Sequence, residues 1–407
     1  NSLRRDVLVS TADSAAYSLM VGFGETYIPA FALALGLGPV AAGLTATVPL
    51  LCGAVLQLVT PKAVTHLGTN RGWVVASTTI QSLSFVPLIW WAMRGHAELW
   101  ELLAAASIYW GAGMAGAPAW NAWIGTLIPA SVRTSFFAQR GRLGQFATCA
   151  GFIVGGLVLQ WGEQRERVLP AFAVIFALAA VSRLVSTALL AVCSEPVPPR
   201  RRGSGRAEQG HSHGLATVAR GMLASPSGAV VSLLWSFVFG AQFSAPYFTP
   251  YMLRELGFSY HAFMLVMAAS FLAKALVSPL LGRLASKIGA VRLIAWATVA
   301  ITPLSLLWLP SVNLGYLVVV QLIAGGCWAA YELAVALLFF EAVNDRERTA
   351  TVTIYNVGLA VATVAGGCCG GLLLRWLGSG HAAYAAVFIG SSLLRLAALP
   401  LLLRLRA

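Results

Sequence analysis

The sequence predicts an all-α polytopic membrane protein, with twelve transmembrane helices in two pseudo-symmetric six-helix bundles. Three observations carry this. Of 407 residues, 58% are hydrophobic and 10% charged, more apolar surface than a soluble domain buries. Apolar runs of roughly 20 residues, enough helix to cross about 30 Å of hydrocarbon, recur along the whole chain. The second half then repeats the first at a nearly constant offset. A β-barrel is excluded because the runs are continuous rather than alternating, so the backbone must satisfy its polar groups within helices.

The first six spans fall near 7–35, 39–60, 72–93, 99–128, 142–161 and 168–192. A polar segment, 194–227, contains "SEPVPPRRRGSGRAEQGHSHG" and reads as a cytoplasmic linker, with His211 and His213 as a solvated pair rather than a metal site. Six further spans lie near 228–253, 261–281, 291–310, 313–341, 350–376 and 381–403. The expected units are thus a bundle at 1–193, a linker at 194–227 and a second bundle at 228–407.

The repeat is read directly. "YIPAFALALGL" from Tyr27 meets "FTPYMLRELGF" from Phe248 at an offset of 221, placing Pro29 on Pro250 and Gly36 on Gly257. The loop after the second span, with Gly68 and Arg71, meets the loop after the eighth, with Gly289 and Arg292, at the same offset. "GGLVLQW" from Gly155 meets "GGLLLRW" from Gly370 at 215, and Arg183 meets Arg395 at 212. Small changes of offset are what short loop insertions produce.

A net charge of +13 raises the question of nucleic acid, and the placement of the basic residues answers it. On one side lie Arg4, Arg5, Lys62, Arg71, Arg133, Arg140, Arg142, Arg200, Arg201, Arg202, Arg206, Arg220, Arg283, Lys287, Arg292, Arg346, Arg348, Arg404 and Arg406. The other side has Arg94, Arg165, Arg167, Arg254 and Arg375. This asymmetry follows the positive-inside rule with both termini cytoplasmic, and no nucleic-acid partner is needed. Asp6 and Asp13 interrupt the start, so a cleavable signal peptide is not expected. The six cysteines fall in or beside spans and read as small packing residues.

Two six-span halves, cytoplasmic termini and a basic central loop resemble the major facilitator superfamily. That family carries a pattern like GxLADRxGRR after its second span and often again after its eighth. Here "GRLASKIGAVR" keeps Gly282, Leu284, Lys287 and Gly289, with Ser286 where the pattern has an acid; "PKAVTHLGTNR" keeps Gly68 and a basic Arg71. The resemblance implies a secondary transporter of a small organic solute in the bacterial inner membrane, working by alternating access. It also implies a central site between the halves, lined by the first, fourth, seventh and tenth spans. Protons are the expected coupling ion, lipid the surrounding partner, the monomer the expected state, and no cofactor or enzymatic activity is expected. A drug/proton efflux antiporter and a transition-metal permease are the alternatives. The fifth span lacks the antiporter signature, while His261, Met264, Met267, Cys327, Cys368 and Cys369 are the soft ligands a permease would use.

Intramembrane charges are costly and mark pathways, relays or internal pairs. Arg183 and Arg395 occur in both halves and are therefore expected to be structural. Asp13, Glu25, Lys274 and Glu332 have no charged counterpart at the repeat offset. Lys274 and Glu332 reach a similar depth and are expected to pair, as a salt bridge or as an anion anchor with its counter-ion. Asp13, about 9 Å from the inner edge, would pair with an arginine such as Arg183. Glu25, roughly 27 Å along its span in "GFGETYIPAFALALG", has no basic residue at its depth. It is read as a proton carrier, with a packing acid bonded to a hydroxyl such as Tyr27, or a cation ligand, as the other readings. Trp120 and Asn121 on the fourth span, Gln242 and Tyr247 on the seventh, Trp328 and Tyr331 on the tenth, and Tyr355 and Asn356 on the eleventh complete the expected pocket.

Overall fold

The structure is a computed structural model that describes residues 2–195, 226–341, 348–378 and 380–405. His211, His213 and most of the expected linker lie outside these residues. Among those described, eleven helical segments are long and apolar enough to span a membrane. They are Leu3–Ala34, Pro39–Gln57, Asn70–Arg94, Gln139–Gln164, Val168–Val192, Val230–Glu255, Tyr260–Ile288, Ala290–Trp308, Leu314–Leu338, Tyr355–Leu377 and His381–Leu403. The fourth span, Leu99–Leu127, is long enough to cross but falls short in apolarity, because Trp110, Pro118, Trp120, Asn121 and several glycines interrupt it.

Helix packing repeats between halves. The first span packs on the fifth and sixth, as the seventh does on the eleventh and twelfth; the fourth packs on the second and third, as the tenth does on the eighth and ninth. The halves meet where the fifth span packs on the eighth and the second on the eleventh.

The duplication is visible in backbone chemistry. The first span breaks into a 3-10 turn at Glu25–Tyr27, and the seventh at Ala245–Tyr247. After each break a tyrosine hydroxyl donates to a carbonyl of the paired span: Tyr27 to Phe152 at 2.6 Å and Tyr247 to Gly367 at 2.5 Å. The tyrosines are therefore 220 residues apart, one fewer than the repeat offset read from the sequence. A π-helical turn at Tyr251–Glu255 takes up the extra residue, so before it Pro29 stands at the place of Thr249 rather than of Pro250 as the sequence suggests, and after it the offset is 221 at Gly36 and Gly257, both at positive φ. Gly151 and Gly366 let these span pairs touch: a Cβ on Gly151 would stand 2.9 Å from the Leu19 carbonyl, and one on Gly366 would strike the Phe239 carbonyl.

The halves are joined at one end. Tyr27, Phe31, Phe152 and Phe172 share an apolar core with Tyr247, Tyr251, Phe263 and Phe388. At the same end the Arg254 guanidinium donates to the Leu33 carbonyl, His261 N–H to Gln160 Oε1 at 3.0 Å and Tyr260 N–H to Glu163 at 3.4 Å. Toward the end that carries the N-terminus, the halves keep separate cores, around Val74, Trp123 and Leu190 in the first and around Leu234, Leu293 and Ala334 in the second. Such a molecule is closed at one end and split at the other.

Candidate functional site

A cavity of about 680 Å³ lies within the first half. Residues of the first, third, fourth, fifth and sixth spans line it, and among the described residues none of the lining comes from the second half. The expected central site thus differs from the cavity found. The reason is local: Gly113, Gly116 and Ala117 on the fourth span and Gly141 and Gly144 on the fifth leave space between helices that larger side chains would fill.

Two acids mark the ends of the cavity. Asp13 and Glu25 are twelve residues apart on the first span, about 18 Å of rise. Asp13, 2% exposed, accepts from the Arg140 guanidinium at 2.8 Å and from the Ser186 hydroxyl at 2.6 Å. Arg140 also donates to the hydroxyl and carbonyl of Ser10 and lies 4.7 Å from the Trp120 ring centre. Ser186 in turn accepts from Arg183 Nη1 at 2.8 Å, so Asp13 reaches Arg183 through a hydroxyl rather than by the expected direct pair. Arg183 Nε donates to Gln81 Oε1 at 2.8 Å, and its guanidinium stands 4.8 Å from the Tyr17 ring centre. Two cationic planes therefore rest on two aromatic faces along one wall.

Glu25 sits in the break of the first span, toward the closed end of the molecule. The Tyr109 hydroxyl donates to its Oε2 at 2.7 Å, and no basic group of the described residues lies within ion-pair distance. Trp110, adjoining Tyr109, lines the cavity beside it.

Of the residues singled out from sequence, Asp13, Glu25, Trp120 and Asn121 line this cavity, and so does Arg183, for which the repeat predicts a structural role. Arg395 is buried as expected. It donates to the Ile301 carbonyl at 2.8 Å, to the Ser391 carbonyl and hydroxyl, and to Ser305. Lys274 and Glu332 do pair, at 2.5 Å, but at 21% and 55% side-chain exposure, beside a smaller cavity of about 190 Å³ that Gln145 of the first half also lines. Tyr247 is sealed in the core by its bond to Gly367, and its role there is architectural. Tyr331 stacks on Phe237 at 5.4 Å with Trp328 edge-on to it, both away from the large cavity. The Tyr355 carbonyl accepts from Trp235, and Gln242 and Asn356 are half-buried outside the cavity lining.

Sequence reasoning misses Arg140, Tyr109, Tyr17 and Gln145. Arg140 counts as a loop arginine only if the fifth helix starts at 142; it starts at Ala130. The stripe Arg140, Gly144, Gln145, Thr148, spaced by about one turn, is the signal that a polar helical face continues there.

In the loop pattern, Gly68 and Gly289 take φ of 69° and 80°, the left-handed geometry that glycine tolerates best. Lys287 closes the eighth helix, with Gly282 and Arg292 on either side of the turn. The acid missing from the first copy has a substitute: Glu195 accepts from the backbone N–H of Asn70 at 2.8 Å and of Arg71 at 3.3 Å, and from the Thr69 hydroxyl. Arg71 donates to the Cys193 carbonyl at 3.1 Å, tying the end of the sixth span to the start of the third. For the permease alternative, no group of three or more His, Cys, Asp or Glu among the described residues could hold a metal ion.

Comparisons with known proteins agree with this architecture. The family model described as Major Facilitator Superfamily matches residues 230–407. No curated protein matches the sequence. Among solved structures, the chain is similar to a point mutant of the nucleoside transporter NupG, at 15% identity and TM-score 0.70 over 99% of this chain and 100% of that one. It is similar to a D-xylose-proton symporter at 14% identity and TM-score 0.71, over 98% and 97%. It is also similar to a bacterial homolog of the human lysosomal transporter Spinster, inward-facing and unoccupied, at 16% identity and TM-score 0.66, over 99% and 94%. At such identities the likeness is one of fold. The family model thus covers the second half of the chain, and the full length shares the fold of these solved structures.

Proposed function

We propose that the protein is a proton-coupled secondary transporter of a small organic solute, resident in the bacterial inner membrane with both termini cytoplasmic. The observation that carries this is Glu25: a carboxyl group at the closed end of an intramembrane cavity, with a neutral phenol as its partner and no cation of the described residues within ion-pair distance. Ionisable groups deep in a membrane are retained for function, and a carboxyl that no fixed cation neutralises is suited to gain and lose a proton. Alternating access supplies the occasion. In this conformation the joined cores seal one end and the split cores lead from the other toward the cavity; rocking the halves would exchange which end is open. The similarity in fold to a D-xylose-proton symporter supports the same reading.

The test is Glu25→Gln in proteoliposomes. Substrate-driven proton movement is expected to disappear while solute counterflow persists. A variant that still acidifies or alkalinises the lumen normally would remove the coupling role from Glu25.

A further inference from the structure

Arg183 is 6% exposed, yet no carboxylate of the described residues lies within 4.0 Å of it. Its Nε is held by Gln81 and its Nη1 by Ser186, but Nη2 has no acceptor among the described residues, and it is not sealed off from the cavity that Arg183 lines. Burying a guanidinium without a counter-ion is costly. Its homologue by the internal repeat, Arg395, shows what a structural arginine looks like here: Nε, Nη1 and Nη2 all donate to protein oxygens, outside the lining of the cavity. The free edge of Arg183 is therefore open to a ligand. Its Nη2 carries two N–H donors, which an anionic oxygen accepts well.

The charges around the cavity set the ligand's valence. Asp13 and Glu25 face Arg140 and Arg183, two acids against two bases. With Glu25 protonated the set carries one excess positive charge, and a monoanion makes the loaded cavity neutral. With Glu25 ionised the same anion leaves one excess negative charge in a poorly solvating site. The groups facing Glu25 are Tyr109 on the fourth span and, along the cavity, Tyr17 on its own; Thr78 on the third is neutral, while Arg140 on the fifth and Arg183 on the sixth lie toward the Asp13 end. Among the described residues, no other acid in the lining could take over the compensation. Sulfate or a dicarboxylate would overshoot it, and the Tyr17, Trp110 and Trp120 rings suit an organic body.

The geometry points to Arg183 as an anion-binding residue and to an organic monocarboxylate as the substrate class, carried together with a proton on Glu25. This rests on the transporter reading above for its direction and coupling, but the anion site itself is tested by binding alone.

The experiment uses the purified full chain in detergent, with thermal midpoint and tryptophan fluorescence as readouts. The probes are benzoate, phenylacetate and hexanoate, with benzamide, benzylamine and sulfate as neutral, cationic and dianionic controls. At least one monocarboxylate is expected to raise the midpoint at millimolar concentration, while the three controls do not. Arg183→Lys is expected to weaken that half-saturation about tenfold, the loss of one good charged hydrogen bond, and Arg183→Gln to abolish it. Arg395→Lys leaves it unchanged. Preference for benzylamine, equal binding of benzamide, no shift with any of the three carboxylates, or undiminished binding in Arg183→Lys overturns the assignment; the wild-type arms hold even where Arg183→Gln fails to fold. Carboxylate binding without flux in liposomes would instead break the transporter reading and leave the anion site standing. Glu25-dependent proton-coupled flux of a cationic or neutral solute would do the reverse.

Discussion

Arg183 and Arg395 occupy matching positions in the two halves, on the sixth and twelfth spans, and the different hydroxyls beside them, Ser186 against Ala398 and Ser391 against Ala179, do not alone set them apart. Their surroundings in space do. Around Arg395 the ninth and twelfth spans supply Ile301, Ser305 and Ser391 oxygens and close over the guanidinium. Around Arg183 the small residues of the fourth and fifth spans hold the helices' side chains back, and the same guanidinium looks into a cavity. A duplicated fold keeps its backbone contacts and lets side-chain volume decide which copy of a residue becomes chemistry.

Substitutions at matched positions of the two halves test this difference. The largest effects belong to what the halves share. Gly151→Leu and Gly366→Leu each drive a side chain into a neighbouring backbone, and each is expected to cost about 3 kcal/mol, at the upper end of overpacking. The loss of monodisperse protein on size-exclusion chromatography measures this, and a large effect in one half alone would undo the symmetry argument. Next comes the arginine pair. Arg395→Met strands buried neutral acceptors and is expected to lower stability by about 1–3 kcal/mol, whereas Arg183→Met, which strands Gln81 Oε1 and leaves Ser186 bonded to Asp13, is expected to cost under about 1 kcal/mol. Thermal midpoints of the two variants side by side decide it; equal losses would make Arg183 structural after all. Asp13→Asn should fall between them, because Arg140 keeps the Ser10 oxygens and Trp120, and a loss of about 1 kcal/mol by the same measurement is expected. The smallest effect belongs to Lys274 and Glu332. As a partly exposed pair, their joint replacement by glutamine is expected to change stability by about 0.5 kcal/mol or less.

Much of the fold was legible because lipid imposes it. Span length, charge asymmetry and the repeat offset each follow from a physical constraint that leaves a mark in the sequence. The breaks at Glu25–Tyr27 and Ala245–Tyr247 were only half legible: Pro29 and Pro250 lined up at 221, but the tyrosines that do the same work are 220 apart, and nothing in the residues announces the π-helical turn that absorbs the difference. In the site, Asp13, Glu25, Trp120 and Asn121 stood out as polar or aromatic interruptions of apolar helices, and all four line the cavity. Tyr109 did not stand out, because a tyrosine among alanines and tryptophans looks like packing until the acid it contacts is seen. Arg140 was hidden by a helix start placed twelve residues too late, at 142 instead of Ala130. Tyr247 shows the opposite failure: a polar tip near two prolines, spent on the Gly367 carbonyl.

The fourth helix meets lipid before it meets its partners. The cavity-facing stripe of glycines, tryptophans and Asn121 on the fourth helix lowers that face's affinity for hydrocarbon. A segment of that kind partitions poorly when it leaves the ribosome alone, so its entry into the bilayer depends on the third and fifth helices arriving to shelter the polar stripe. The surface that equips the finished protein to hold a solute is thus a burden during its synthesis.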